Sequence, residues 1–461
     1  MNYEDFTPEV QKYIKMGEEI SAHQQKNREK MREKKFDTIA VHGTYGLEEA
    51  MKHQGSMLEP TFFSPAQHYE DSDHLEAVNA YAMPGWAYTR IINPTISYLE
   101  ETFALLDGYG YNGETGAAAL ASGMAAIFMA TNPFIQTPET GTNIVIDAKC
   151  YGGTFMLMSR YNKEHDIDIR WVTDSMDIKE WQNKIDDKTR FVYAEMPSNP
   201  GLSLVDIKEL SDLAHHQNIP LIVDSTLTTP ALMRPIELGA DIVVHSVSKA
   251  MAGSGSAIAG AVIAKMDIPS KIGTDEMKAD FATYIKLLSR RDHGNNLAPM
   301  NAHFVLNDLR HLRARVDKMS KTAMEVAKFL ESHENVESVG YPGLVSNTGH
   351  DIAKKYMWLV DGADDYGEET NRYGYMMSFN VKGGVKNAKK VYDAFSMIYR
   401  ATDLGRVKSV ATLPYLSTHQ QQGEEGRELA SLPSHLVRLS VGMEHPDDII
   451  SDLKQALAVI N

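Results

Sequence analysis

The sequence predicts an α/β protein with a mostly parallel central sheet, followed by a smaller C-terminal α+β domain. Three observations carry that prediction. Between about residues 140 and 265, short Val- and Ile-rich runs alternate with stretches whose apolar residues recur at helical spacing. The runs are mostly unalternated, as strands covered on both faces must be. Beyond about residue 300 the alternation stops, and a long helical stretch precedes widely separated strand-like pieces. Strand–helix alternation implies right-handed crossovers and parallel strands, with ligands beyond the strands' carboxyl ends.

Taken in order, the strand candidates are NIVID (143–147), IDIRWV (167–172), RFVYAE (190–195), PLIVDS (220–225), DIVVHS (241–246) and AIAGAVIA (257–264). MDIKEWQNKID (176–186) and VDIKELSDLAHHQN (205–218) read as intervening helices. LASGMAAI (120–127) reads as a helix start, where free N–H groups and the helix dipole favour a phosphate. Residues 302–333 read as one helix, followed by strand-like pieces at 336–342, YMMSFNVKGG (375–384) and VRLSVGME (437–444). The acidic stretch 361–374 reads as an exposed loop, and QQKNREKMREKK (24–35) as a solvated helix or arm.

With 461 residues, the chain exceeds one ordinary core, so two or three domains are expected. A formal net charge of −16 argues against nucleic acid as a partner. One cysteine, Cys150, excludes an intramolecular disulfide and a thiolate metal cluster, and reads as a small buried packing residue. The N-terminus lacks an apolar signal-type core. The best membrane lookalike, residues 117–135, is mostly Ala with Ser, Gly, Thr, Asn and Pro, so a buried helix fits it better. No membrane partner is expected, and a cytoplasmic location is. His215 and His216 are adjacent on a helix and diverge, so no metal site is expected there.

The chemistry gathers where the apolar runs end. Asp224 closes LIVD, Glu195 closes FVYAE, and Ser246, Ser248 and Lys249 follow DIVVH. A lysine and a carboxylate at the ends of consecutive strands can face one crevice. An aldehyde cofactor with a protonatable ring nitrogen needs both: lysine to form a Schiff base, aspartate to hold the ring cation. Ser246 and Ser248 add hydroxyls for the same cofactor's anion.

The segment VDSTLTTPALMRPIELGADIVVHSVSKAMAG (223–253) resembles the lysine-bearing segment of the Cys/Met-metabolism family of pyridoxal-phosphate enzymes. YTRIINPT (88–95), ASGMAAI (121–127), YGGT (151–154), EMPSNP (195–200), YPGL (341–344), LSTHQQ (416–421) and VRLSVGMEHPDD (437–448) follow in that family's order. The resemblance runs from about residue 38 onward. It implies the aminotransferase-like fold of type I, with a segment at 1–90 contacting a neighbouring subunit, a cofactor-binding domain at 91–300 and a small domain at 301–461. It implies pyridoxal 5'-phosphate as cofactor, an amino-acid substrate, and a homotetramer built as a dimer of dimers with shared active sites.

Residue by residue, the resemblance implies that Lys249 forms the Schiff base and shuttles protons between the substrate's Cα and Cγ. Asp224 would pair with the ring nitrogen. Tyr151 would stack on the ring and serve the leaving group as acid–base. Gly123, Met124, Ser246 and Ser248 would cradle the phosphate, joined by Tyr88 and Arg90 of the neighbouring subunit. Arg438 would hold the substrate carboxylate in a bidentate fork, with Asn199 near the ring oxygen and Thr418 in support.

Ser246-Val247-Ser248-Lys249 also matches the S-x-x-K of serine β-lactamases, but the S-D-N and K-T-G elements are absent from the sequence. A binding protein that keeps the fold without catalysis is the other alternative, and it would lack the yellow of a lysine-bound cofactor. Within the family, members acting on cystathionine carry a Glu where this chain has Thr402, beside Asp403. Methionine γ-lyases carry Tyr-Gly-Cys-Thr where it has Tyr151-Gly152-Gly153-Thr154. The remaining motifs resemble the O-acetylhomoserine sulfhydrylases most. γ-Replacement on an activated homoserine is therefore expected, with γ-elimination from methionine or cystathionine, or cystathionine synthesis, as alternatives.

Overall fold

The computed structural model describes residues 3–136, 141–362 and 369–460. Its larger sheet has seven strands: β1 (Thr115–Leu120), β2 (Asn143–Asp147), β3 (Asp168–Val172), β4 (Thr189–Glu195), β5 (Leu221–Asp224), β6 (Ile242–His245) and β7 (Gly260–Lys265). They lie in the order β1-β7-β6-β5-β4-β2-β3. Only β7 runs against its neighbours, being antiparallel to both β1 and β6. Six carboxyl ends therefore share one edge. Successive residues alternate between two cores: Ala117, Ala119 and Val243 join one, Ala118, Leu120, Ile242 and Val244 the other. Burial on both faces explains why these runs are unalternated in sequence.

The smaller sheet comprises β8 (Val336–Gly340), β9 (Met376–Val381), β10 (Tyr399–Arg400), β11 (Val410–Thr412) and β12 (Leu436–Ser440), in the order β10-β11-β12-β9-β8. It is antiparallel except for the β10–β11 pair. Helices Leu312–Ser332, Gly384–Ala394 and Pro446–Leu457 contribute to the core beneath it through residues such as Val326, Val391 and Leu453.

Three expectations are corrected. The helix expected over 302–333 is two helices, Pro299–Leu309 and Leu312–Ser332, broken at Arg310 and His311. No Gly or Pro marks the break. Side chains make it: Arg315 donates to the Asp308 carbonyl at 2.9 Å and meets His311 Nδ1, while Arg310 reaches Glu59. The last large-sheet strand begins at Gly260 rather than at residue 257. Of the acidic stretch, residues 363–368 lie outside the described residues, but Asp361 at its start is anchored, accepting from Phe36 N–H at 2.8 Å and Tyr109 O–H at 2.5 Å.

The N-terminal arm is a helix, Pro8–Arg32, as read for its charged end, and its first half is docked on the protein. Thr7 caps it, and Val10, Tyr13 and Ile14 pack on Ala77, Val78 and Met83. Its far end is held by Arg28, which donates to the Thr115 carbonyl, and by Arg32, which donates to Gly113 at 2.6 Å. Its outward face stays solvated, as its charge pattern predicts. Residues 117–135 resolve into the end of β1 and the helix Gly123–Ile135, and among the described residues no helix is long and apolar enough to cross a membrane.

Candidate active site

The sheet topology brings the ends of β1, β2, β4, β5 and β6 to one edge, and the candidate residues follow those ends. After β1, Ser122 caps the helix Gly123–Ile135 by accepting from Ala125 N–H at 3.1 Å. That leaves the first N–H groups, of Gly123 and Met124, without acceptors inside the helix. A Cβ on Gly123 would fall 2.6 Å from Ser246 Cβ, so only glycine lets the two segments close into one cradle. Thr226 completes the corner. Its hydroxyl accepts Ser246 N–H at 2.8 Å and its own N–H donates to Asp224 Oδ1 at 3.0 Å. Sequence reasoning passed over Thr226, although its place two residues after a strand-end aspartate was a usable signal.

Ser248 sits differently from the expectation. Its hydroxyl donates to the Ala259 carbonyl at 3.0 Å and accepts Ala259 N–H at 2.9 Å. Its single hydrogen is thus given to the chain, which leaves Ser246 as the hydroxyl facing the cradle. Cys150 is buried, and burial together with Glu195, Asp147 and Asp224 pushes its thiol well up, consistent with packing alone.

Asp224 lies at the end of β5, buried, accepting also from Tyr193 O–H at 3.3 Å. Burial raises its carboxyl above the ordinary range, against the pull of Thr226 and His245. His245, at the end of β6, is paired with Asp107 at 2.8 Å, both fully buried; its imidazole is pushed up by Asp107 against the effect of burial. Glu195 ends β4 and takes Tyr151 N–H at 2.6 Å. Tyr151, at the start of the helix Gly152–His165, turns its ring toward Gly153 and Met124.

Lys249 Nζ donates to Asp403 Oδ1 at 3.0 Å, and Asp403 Oδ2 accepts from Arg406 Nε at 2.5 Å. Burial pulls the lysine below its usual range, against the pull of Asp403. Asp403 is held down by Lys249 and Arg406 despite partial burial. Arg438 enters from β12, fully buried, donating to Asn199 Oδ1 at 2.9 Å and to the Asp403 carbonyl at 3.0 Å. Burial brings it down to about 10, so it stays charged at neutral pH.

Some candidates stand apart. The Thr418 hydroxyl pairs with His419 Nδ1 at 2.9 Å rather than with Arg438. His419 is buried, and burial with the nearby Arg438 pulls it down to about 4, so it is neutral. Thr402 is exposed beside Asp403. Tyr88 and Arg90 are both exposed, with the guanidinium 5.2 Å from its own Tyr88 ring. His215 faces outward but binds Asp241 at 2.9 Å, and among the described residues no His, Cys, Asp or Glu group could hold a metal.

A lysine of lowered basicity, a buried carboxylate on the next strand and a donor-lined cradle at a helix start fit an aldehyde cofactor with a ring nitrogen and a phosphate. Fold and site together define a lysine-dependent α/β enzyme of the aminotransferase-like type. The family model described as Cys/Met metabolism PLP-dependent enzyme matches residues 37–458, and the chain belongs to that family. Its cofactor is pyridoxal phosphate. The chain is 36% identical to an L-methionine gamma-lyase of Fusobacterium nucleatum subsp. polymorphum over 378 residues, covering 82% of this chain and 87% of that one. It is 32% identical to an O-acetyl-L-homoserine sulfhydrylase of Leptospira meyeri over 449 residues, covering 92% and 96%. A solved putative O-acetylhomoserine (thiol)-lyase of Campylobacter jejuni superposes with a TM-score of 0.81 at 32% identity, covering 92% of this chain and all of that one, and carries N'-pyridoxyl-lysine-5'-monophosphate.

Proposed function

We propose that the chain catalyses γ-replacement on an activated homoserine, taking O-acetylhomoserine and sulfide to homocysteine. Gly153 carries the choice over methionine γ-elimination. A Cβ there would lie 2.6 Å from Tyr151 Cε1 and 2.9 Å from Met124 Sδ, so the cysteine typical of methionine γ-lyases would force the Tyr151 ring and the Met124 side chain to shift. Cystathionine is disfavoured for another reason. Thr402 is neutral, and the Asp403 carboxylate is engaged by Arg406 Nε at 2.5 Å even when Lys249 carries the cofactor, so it is not free to meet a distal ammonium.

In this reading Lys249 attaches the cofactor and Asp224 holds its ring nitrogen, while Gly123, Met124 and Ser246 receive the phosphate. Pyridoxal phosphate, when bound, supplies the electron sink that acidifies the substrate's Cα and Cβ protons. Arg438 holds the substrate carboxylate, positioned by Asn199. Lys249, freed when the substrate takes its place, removes the Cα proton and moves protons along the carbon chain. Tyr151 serves the leaving acetate as acid–base. Tyr88 and Arg90 serve the phosphate site of a neighbouring subunit, which requires at least a dimer.

Incubation with O-acetylhomoserine plus sulfide, with methionine and with cystathionine, quantifying homocysteine and 2-oxobutyrate, tests the assignment. Homocysteine formation from the first mixture should dominate. Faster 2-oxobutyrate release from methionine would make the protein a γ-lyase.

A further inference from the structure

Resting on the reading of Lys249 as the cofactor lysine, we infer that Asp403 and Arg406 act as a positioning pair that sets the protonation state of that amine whenever it is free. The geometry is a short chain of charges. Lys249 Nζ lies 3.0 Å from Asp403 Oδ1, the other carboxylate oxygen takes Arg406 Nε at 2.5 Å, and Arg406 Nη1 is anchored on the Ala252 carbonyl at 3.0 Å. Leu404 N–H also donates to Asp403 Oδ1 at 2.9 Å, fixing the carboxylate from behind.

Each member has a distinct electrostatic sign. A carboxylate in hydrogen-bond contact stabilises the ammonium form of a lysine, and a cation nearby disfavours it. Asp403 therefore favours the protonated amine, while Arg406 limits how far it does so by sharing the carboxylate. The opposing influences on Lys249 agree: burial, Arg406 and Arg438 lower its basicity, and Asp403 raises it. The other charged groups around the lysine turn are held elsewhere. Arg315 donates to the carbonyls of Ala250 and Met251, and Asp224 binds Thr226 and Tyr193, while Arg438, fixed on Asn199 and on the Asp403 carbonyl, adds its charge to that of Arg406. Tyr375 is buried and its hydroxyl is pushed well up, so it stays neutral.

The proton bookkeeping gives the pair its use. When Lys249 takes a proton from a substrate carbon it becomes an ammonium beside Asp403, and it is neutral again once that proton is delivered. A lysine too strongly paired would keep the proton, and one without a counter-ion would be a weak acceptor. Arg406 is what separates these limits.

The test uses the full-length protein, stripped of cofactor and given pyridoxal phosphate across about pH 6 to 10. Borohydride trapping and peptide mass spectrometry then read the yield on Lys249, and its midpoint against pH reports the amine. Asp403→Asn, with Asp403→Ser as a second variant, should move the midpoint down by about one unit or more. Arg406→Gln should move it up, and Arg406→Lys should leave it near wild type. Shifts in opposite directions are not produced by loosened packing. Unmoved midpoints, or Asp403→Asn and Arg406→Gln moving the same way, would overturn the pair. A wild-type label on a different lysine would instead overturn the parent assignment.

Discussion

Glu195 and Asp224 are direct partners across the parallel strands β4 and β5, two buried carboxylates at one level of the sheet. Two such groups cannot both ionise cheaply: burial pushes both upward, and the Asp224 charge pushes Glu195 further. Their partners differ. Asp224 has Thr226, Tyr193 and the nearby His245 to favour its anion, whereas at Glu195 burial and the charges of Asp224 and Asp147 outweigh the N–H of Tyr151 and push it well up. Glu195 therefore keeps the proton and Asp224 the charge. Glu195→Gln should retain kcat/KM within about threefold at neutral pH, while Asp224→Asn should lose about a hundredfold or more, ~2.7 kcal/mol. Steady-state kinetics on both variants checks this, and equal losses would refute the division of roles.

Asp147 offers a stability test. It is buried at the end of β2, and burial lifts its carboxyl to about 7 from an ordinary value of 3.8. A carboxyl raised by folding binds its proton more tightly in the native state. Stability is therefore lost as pH rises from the unfolded value toward about 7, at about 1.4 kcal/mol per unit at most. Asp147→Asn keeps the acceptor for Lys149 N–H without that titration. Its Tm advantage over wild type should grow from pH ~5 to ~7 and then level off. A constant difference across that range would contradict the shift.

Thr402 tests substrate choice. Thr402→Glu places a carboxylate where cystathionine-acting relatives have one, and a charge-assisted hydrogen bond contributes about 1.5–3 kcal/mol. Cystathionine turnover relative to O-acetylhomoserine should rise roughly ten- to a hundredfold in kcat/KM. If Asp403 already served the distal ammonium, Asp403→Ser would abolish an existing cystathionine activity. Measuring both variants on both substrates separates the two accounts.

The exposed pair Tyr88 and Arg90 predicts complementation. Mixed subunits carrying Arg90→Ala and Lys249→Ala should regain part of the wild-type activity once exchange is demonstrated, because one site in each hybrid would keep both residues. No recovery despite exchange would mean that each chain completes its own site.

The strands were legible because two-sided burial leaves a plain signature: Val- and Ile-rich runs ending in Asp224, Glu195 or His245. The candidate site was legible in so far as it follows strand ends: Asp224 and Lys249 lie where that rule places them, whereas Tyr151 was singled out only through the family resemblance. What escaped depends on contacts distant in sequence. Asp403 reaches Lys249 across 154 residues, and nothing local to Thr402-Asp403-Leu404-Gly405 distinguishes a lysine counter-ion from a substrate ligand. The helix break at Arg310 was hidden because side chains of Arg310 and Arg315, rather than Gly or Pro, create it. The docking of the Pro8–Arg32 helix was hidden because its guanidinium groups serve backbone carbonyls, which a charge pattern cannot reveal.

The most direct measurement is the attachment point of the cofactor. The purified protein should be yellow, and borohydride reduction followed by peptide mass spectrometry should find the pyridoxyl group on Lys249, with colour and adduct both lost in Lys249→Ala. An adduct on any other lysine, or a coloured Lys249→Ala protein with the adduct unchanged, would contradict the account.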